Sequence, residues 1–155
     1  MMSQTSSTMQ LTRAADYGMR AMIHLATMPA GQRSRLPALA RATDAPESFL
    51  SKVLQALCRA GFVASRRGQS GGFEILAAGR LASVRAVIEA IDGAISLNLC
   101  MVTGVSCTRK SYCPAHPVWE KAQEAMLAVL TASSIAELAA EAAAAPRTRS
   151  ATKKS

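Results

Sequence analysis

Residues 34–76 read SRLPALARATDAPESFLSKVLQALCRAGFVASRRGQSGGFEIL, and this stretch decides the fold. Leu36, Leu39 and Ala40 sit at helical spacing, Pro37 is tolerated in a first turn, and Ser34 is placed to cap it. Thr43-Asp44-Ala45 makes a turn, and Asp44 is predicted to cap a second helix with Pro46 and Glu47 in its first turn. Phe49, Leu50, Val53, Leu54 and Leu57 form the predicted buried face of that helix, while Ser48, Ser51, Lys52, Gln55 and Arg59 lie largely on the others. Gly61 suits the position just past its end. FVAS and FEIL follow, separated by Arg66-Arg67-Gly68-Gln69-Ser70-Gly71-Gly72; their β-favouring residues and glycine-rich link predict a hairpin. That link has neither the lysine nor the helix start of a phosphate-binding P-loop. Two short helices joined by a tight turn match a helix-turn-helix, and a hairpin with arginines at its base directly after one is a wing.

Charge supports this reading. Of the formal net charge of +8, the segment 33–67 carries Arg33, Arg35, Arg41, Lys52, Arg59, Arg66 and Arg67 against Asp44 and Glu47, a net of +5. The last ten residues add Arg147, Arg149, Lys153 and Lys154 with no acid. A local basic patch is what binding to nucleic-acid phosphates requires. No run approaches the ~20 apolar residues of a membrane span, so no membrane partner is expected. The opening MMSQTSST lacks a charged region followed by an apolar one, which predicts no secretory signal and a cytoplasmic protein.

Upstream of the central stretch, Leu11 to about Met28 is a predicted helix with Met19, Met22, Ile23 and Ala26 at helical spacing, ended by Pro29-Ala30-Gly31. Asp16 and Arg20 lie one turn apart on it, and His24 reads as a packing residue. Downstream, Val84 to Ile91 is a helix closed by Asp92-Gly93. Then comes CMVTGVSCTRKSYCPAH, residues 100–116, with Cys100, Cys107, Cys113 and His116 spaced Cys-x6-Cys-x5-Cys-x2-His. Thiolates are soft ligands that suit iron–sulfur clusters and zinc. Gly104, Ser106, Thr108, Ser111 and Pro114 give this loop no regular period, so it can turn several sulfurs toward one point.

The spacing matches neither the paired knuckles of a zinc ribbon nor a ferredoxin run. A bland alternative is that these are small buried hydrophobes, but three such residues are hard to bury in one polar loop. Cys58, four residues after Leu54 on an apolar stripe, does read as packing. A zinc site of the three cysteines and His116 is a further alternative. So is a thiol enzyme using His116, although no acidic residue is expected near that histidine to orient it, and the chain is read as not an enzyme.

Pro117 opens a helix from Val118 to about Ala132 whose stripe of Trp119, Ala122, Met126, Val129 and Leu130 is predicted to be covered by a second copy of the chain. Ser134 and Glu137 make a capping box for a last short helix.

Met9-Gln10-Leu11-Thr12, Asp16-Tyr17 and Ala21-Met22 resemble the first helix of the IscR/NsrR/RirA family of bacterial regulators (the Rrf-two type). So does Pro46-Glu47-Ser48-Phe49-Leu50-Ser51-Lys52-Val53-Leu54, continuing through Gly61, Arg67-Gly68 and Gly71-Gly72-Phe73. The resemblance covers about residues 9–140. It implies a winged-helix homodimer with paired C-terminal helices, bound to a near-palindromic double-stranded operator. It also implies an iron–sulfur cluster held by Cys100, Cys107, Cys113 and one further ligand. His116 sits where it resembles the ligand of the two-iron members. Asp16 sits where four-iron, nitric-oxide-sensing members place a carboxylate from the other subunit, so 2Fe-2S and 4Fe-4S both stay open. Members of the family commonly have one residue fewer between the first two cysteines, and some carry no cluster.

On this reading Ser48, Ser51 and Lys52 face base edges, Arg67 with Gln69 and Ser70 enters the adjacent groove, and Arg41, Arg59 and Arg66 contact phosphates. The expected division is a disordered N-terminus at 1–8, a winged helix-turn-helix domain at 9–92 and a cysteine loop at 93–116. A dimerisation helix with a short last helix follows at 117–140, then a disordered basic tail at 141–155. The fold class is mainly α with a small β-hairpin. The expected function is a transcriptional regulator, a repressor, controlled by the cluster; the alternative is a winged-helix regulator switched by cysteine oxidation or without a cofactor.

Overall fold

Helix α1 (Arg13–Thr27) begins where Thr12 caps it, its hydroxyl accepting from the Ala15 N–H at 3.1 Å. Residues 11–102 and 107–146 are described by this computed structural model; the expected disorder at 1–8 and most of the expected basic tail lie outside the described residues. The buried face of α1 runs Ala15, Gly18, Ala21, Met22, Leu25 and Ala26, the spacing of one helical stripe. The Thr12 hydroxyl also donates to the Asp92 carboxylate at 2.7 Å, tying the start of α1 to the end of a later helix.

Helix α2 (Leu36–Thr43) has Pro37 in its first turn, as predicted, but its N-cap is Arg35 and makes no side-chain cap. Ser34 does other work. Its N–H and C=O pair with Phe73 at 2.9 and 2.8 Å, so it joins the hairpin edge and is buried there. Asp44, expected to start the next helix, instead ends α2: its backbone is left-handed (φ 53, ψ 47) and its N–H reaches back to Ala40 and Arg41. Aspartate tolerates that conformation better than most residues, which lets a chain without glycine reverse tightly at this point.

Helix α3 (Glu47–Arg59) follows, with Pro46 as an N-cap that supplies no side-chain bond. Leu50, Val53, Leu54 and Leu57 are buried as expected. Phe49 is not; it is 40% exposed and meets the Tyr17 ring edge-on at 5.6 Å. Adjacent residues on a helix are rotated by about 100°, so Phe49 flanks the stripe that Leu50 centres.

Strands β1 (Val63–Arg66) and β2 (Gly72–Ile75) form the predicted antiparallel hairpin, in register from Val63 with Ile75 to Arg66 with Gly72. The short helix α4 (Ala77–Leu81) was not legible in the sequence. Arg80 on it donates to the Ala26 and Met28 carbonyls, both at 2.8 Å, and so satisfies acceptors left open at the end of α1. Helix α5 (Val84–Asp92) is capped by Ser83 and ends at Gly93. A single 3₁₀ turn covers Leu99–Met101.

Helix α6 (His116–Ala132) starts two residues before the expected position. Helix α7 (Ile135–Ala144) has the predicted Ser134–Glu137 capping box and runs past the expected boundary at 140, since its alanines and Glu141 favour helix. It is not an appendage of α6. Ile135 donates its N–H to the Ala82 carbonyl at 2.9 Å, and Ile135 and Ala139 enter the same core as Met22, Leu25, Leu39, Leu50, Leu54, Leu57 and Val87. The chain thus leaves the winged-helix core after α5 and returns to it at α7, with the cysteine loop and α6 as an excursion between. Among the described residues no helix is long and apolar enough to cross a membrane.

Candidate functional site

The basic surface is built from the exposed side of α3. Ser48, Lys52, Gln55 and Arg59 are exposed at intervals of about one turn, and Ser51 lies half-buried beside them. Their order follows from the burial of Leu50, Val53, Leu54 and Leu57, which turns the intervening polar positions outward. Arg41 is exposed on α2. The chain passes from α3 through Gly61 (φ 77) straight into β1, which packs beside α3. Arg66, Arg67, Gln69 and Ser70 are exposed at the hairpin tip. The tip is closed by the Gly71 N–H donating to the Gly68 carbonyl at 3.0 Å, and Gly68 has a φ of 100 that favours glycine. Every residue expected at a DNA interface is therefore on an accessible surface; the acids beside it are Asp44, which ends α2, and Glu47 in the first turn of α3.

Sequence reasoning missed two residues. Arg33 and Arg35 were counted in the charge but given no role. Arg33 bonds the Ser70 carbonyl at 3.5 Å and the Glu74 carboxylate at 3.3 Å, and Arg35 donates to the carbonyls of Gly68, at 3.0 Å, and Gln69. No local pattern could have revealed them, because their partners lie more than 30 residues along the chain.

Cys100 lies in the 3₁₀ turn, while Cys107 and Cys113 bracket the turns that lead into α6; all three are half-buried and carry free thiols. Among the described residues no three His, Cys, Asp or Glu side chains are gathered where one metal ion could bind. Asp16 is half-exposed and forms an ion pair with Arg20 at 2.6 Å. Arg20 in turn donates to the Thr43 carbonyl at 3.1 Å and lies over the Tyr17 ring.

His116 is only 6% exposed, and its Nε2 is 3.1 Å from Glu120 Oε1. Glu120 corrects the expectation that no acid stands near this histidine: a residue four positions on in a helix lies one turn away on the same face, and the helix starts early enough to include His116. Cys58 behaves as a packing residue. It is half-buried, and burial pushes its thiol pKa up, against a smaller lowering from Ser65 and Arg59.

A cleft of about 380 Å³ separates the winged-helix core from α6, lined by residues that include Leu11, Ile88, Leu97, Met126 and Leu130. Met126 and Leu130, expected to meet a second copy, thus line a cleft within the protomer. The side of α6 that is left exposed carries Val118, Ala122, Ala125, Val129 and Ala132, spaced alternately by four and three.

Over residues 11–141 the chain matches the Rrf2 family, described as iron-dependent transcriptional regulators. It is similar to CymR (YrzC), the global cysteine regulator of B. subtilis, with 22% identity and a TM-score of 0.68 over 86% of this chain and 98% of that one. The oxidized form of Staphylococcus aureus CymR is similar at 25% identity and a TM-score of 0.65, over 84% and 96% of the two chains. T. potens IscR is similar at 25% identity and a TM-score of 0.66, over 86% and 88%.

Proposed function

Since the chain belongs to the Rrf2 family, and is thus a winged-helix transcriptional regulator and not an enzyme, we propose that it is a cytoplasmic homodimeric repressor. Its operator affinity would be set by the chemistry of Cys100, Cys107 and Cys113. The observation that carries the DNA-binding part is the exposed line of Ser48, Lys52, Gln55 and Arg59 running into a hairpin tipped by Arg66, Arg67, Gln69 and Ser70. Ser48, Ser51 and Lys52 read base edges in a major groove; Arg67, Gln69 and Ser70 enter the neighbouring groove; Arg41, Arg59 and Arg66 hold phosphates. The alternating four-and-three spacing on the outer side of α6 is that of a helix seam, and supports pairing of α6 with its copy.

Three half-buried thiols on one irregular segment have the donor chemistry for an iron–sulfur cluster. Cys100, Cys107 and Cys113 would hold it, with Asp16 or His116 as the fourth ligand. Binding would have to gather the three sulfurs, which is the coupling of metal binding to local folding seen in many small sites. When bound, a cluster supplies a labile centre responsive to iron, redox state or nitric oxide. The protein's own contribution is mechanical. The cysteine segment is the only covalent link from α5 to α6, so a change in its shape alters how the winged-helix cores sit on a paired α6. That shifts the population of dimers whose recognition helices match the operator.

Anaerobic purification, with iron and sulfide assay, visible absorbance and operator titration, tests the cluster. Serine at Cys100, Cys107 or Cys113 should abolish bound iron and sulfide; Cys58→Ser should not. His116→Ala should alter the spectrum if the histidine ligates, and Asp16→Ala if the aspartate does. Colourless, iron-free protein with all loop thiols open to alkylation would remove the cluster.

A second reading, disulfide control, is favoured by the free, partly exposed thiols and by similarity to a CymR solved in an oxidized form. It predicts loss of two alkylatable thiols on mild oxidation, with a matching change in operator affinity and no visible absorbance.

A further inference from the structure

We propose that Arg33 and Arg35 are positioning residues that clamp the wing tip from outside the hairpin, so that they set where Arg67, Gln69 and Ser70 meet DNA without themselves holding phosphates. The inference rests on the wing being part of the DNA interface.

The tip, Arg67 to Gly71, is short, polar and exposed except at Gly71, and contributes no apolar side chain to the core. Its own backbone provides one closing bond, from Gly71 to Gly68. Position must therefore come from elsewhere, and the two arginines supply it. Ser34 between them is stitched to Phe73 by two backbone hydrogen bonds at 2.9 and 2.8 Å, an isolated antiparallel bridge that holds extended backbone beside β2. Residues on either side of a strand position project to the same face, so Arg33 and Arg35 reach the hairpin together.

Arg33 spans the tip and the strand, with Nη1 on the Ser70 carbonyl and Nη2 on the Glu74 carboxylate. Arg35 Nη2 donates to two successive carbonyls, Gly68 and Gln69. Three consecutive tip carbonyls, 68 to 70, are thus held by guanidinium donors that originate immediately before α2. Because α2 packs on α3, the clamp ties the wing to the frame that carries the recognition helix.

A guanidinium in a basic patch invites the simpler reading that it binds phosphate. The pairing of Arg33 with Glu74 argues against it: both side chains are about four-fifths buried, at 22% and 20% exposure, and the carboxylate neutralises the charge a phosphate would meet.

The two roles differ in salt dependence. Losing a phosphate contact lowers the slope of log affinity against log salt by about one. Losing a positioning contact lowers affinity for the operator while leaving that slope alone.

The test uses the full chain with all loop thiols in one defined state. Operator and unrelated duplex are titrated by fluorescence anisotropy across a salt series, for wild type, Arg35→Ala, Glu74→Gln and Arg67→Ala. Far-UV spectra confirm that each variant is folded. We expect Arg35→Ala and Glu74→Gln each to weaken operator binding about three- to tenfold, the net worth of a hydrogen bond or two, with the operator slope unchanged. Glu74→Gln is the sharper variant, because it adds net positive charge. A phosphate-binding Arg33 freed from Glu74 would bind operator more tightly with a steeper slope, and that result, or a slope drop of about one in Arg35→Ala, overturns the clamp. Unchanged affinity in both variants while Arg67→Ala weakens binding also overturns it and leaves the wing as an interface. Unchanged affinity in Arg67→Ala as well removes the wing reading, and the clamp with it.

Discussion

Replacing Val129 by glutamate should split the α6-paired dimer proposed above while sparing the protomer. Val129 is 69% exposed on α6 and does not line the cleft that Met126 and Leu130 line, being turned about 80° around the helix from their midpoint, so the free protomer loses little. In a symmetric pair each copy contributes the same position, and the change is counted twice. Full burial of a valine is worth about 1.5–3 kcal/mol. With two-thirds of that available at each copy, the lost apolar burial comes to about 2–4 kcal/mol per dimer. Two carboxylates brought without partners into the seam add a desolvation cost, so about 4–6 kcal/mol in all is a reasonable scale, or three to four decades in Kd. Sedimentation velocity at micromolar concentration should show a wild-type dimer and a V129E monomer with the same far-UV spectrum. Met126→Glu makes a useful contrast. It puts a charge into the protomer's own cleft and should lower the melting temperature as well as disturb assembly. A V129E protein that sediments as a dimer, or a wild-type protein that sediments as a monomer, would refute the seam.

Lys52→Ala and Arg67→Ala should each weaken operator binding at fixed salt, by about 1–3 kcal/mol where the side chain reads a base; unchanged mobility shifts in both would argue against this surface. Gly79→Ala should lower the melting temperature, at a cost of about 1–3 kcal/mol, because a Cβ there meets the Phe62 backbone, including its carbonyl carbon at 3.0 Å, and backbone cannot swing aside. An unshifted thermal melt would show that α4 can back away from β1. The Glu137 carboxyl is held below its ordinary pKa by the Ser134 backbone N–H first and its hydroxyl second. A depressed carboxylate contributes stability above its unfolded pKa and loses it as pH falls through the folded value. Acid melts of Glu137→Gln should therefore show a shallower loss of stability below the ordinary glutamate range than wild type; parallel curves would count against the cap.

The parts of this protein that its sequence determined alone are those governed by near neighbours. The stripe Leu50, Val53, Leu54 and Leu57 sets the buried side of α3, and so which of Ser48, Lys52, Gln55 and Arg59 face out. The glycine-rich link between two β-favouring runs sets the wing, and Ser134 with Glu137 sets the start of α7. In each case the deciding interaction spans a few residues, and helical or strand periodicity records it. Tertiary structure decided whatever depends on distant segments meeting. Ser34 looked like a helix cap, but its backbone groups found Phe73, and two ladder hydrogen bonds took precedence over a cap. Asp44 ends α2 instead of starting α3 because the close crossing of the two helices requires a left-handed residue there. His116 is buried beside Glu120, and α7 returns to a core already containing α1, because Ile135 and Ala139 fill space that α1 and α4 leave open. Arg33 and Arg35 hold a wing tip more than 30 residues away. A one-dimensional pattern carries the burial of a helix face, since every third or fourth residue shares it; it carries no record of which two surfaces will touch, since that is set only when the whole chain closes around one core.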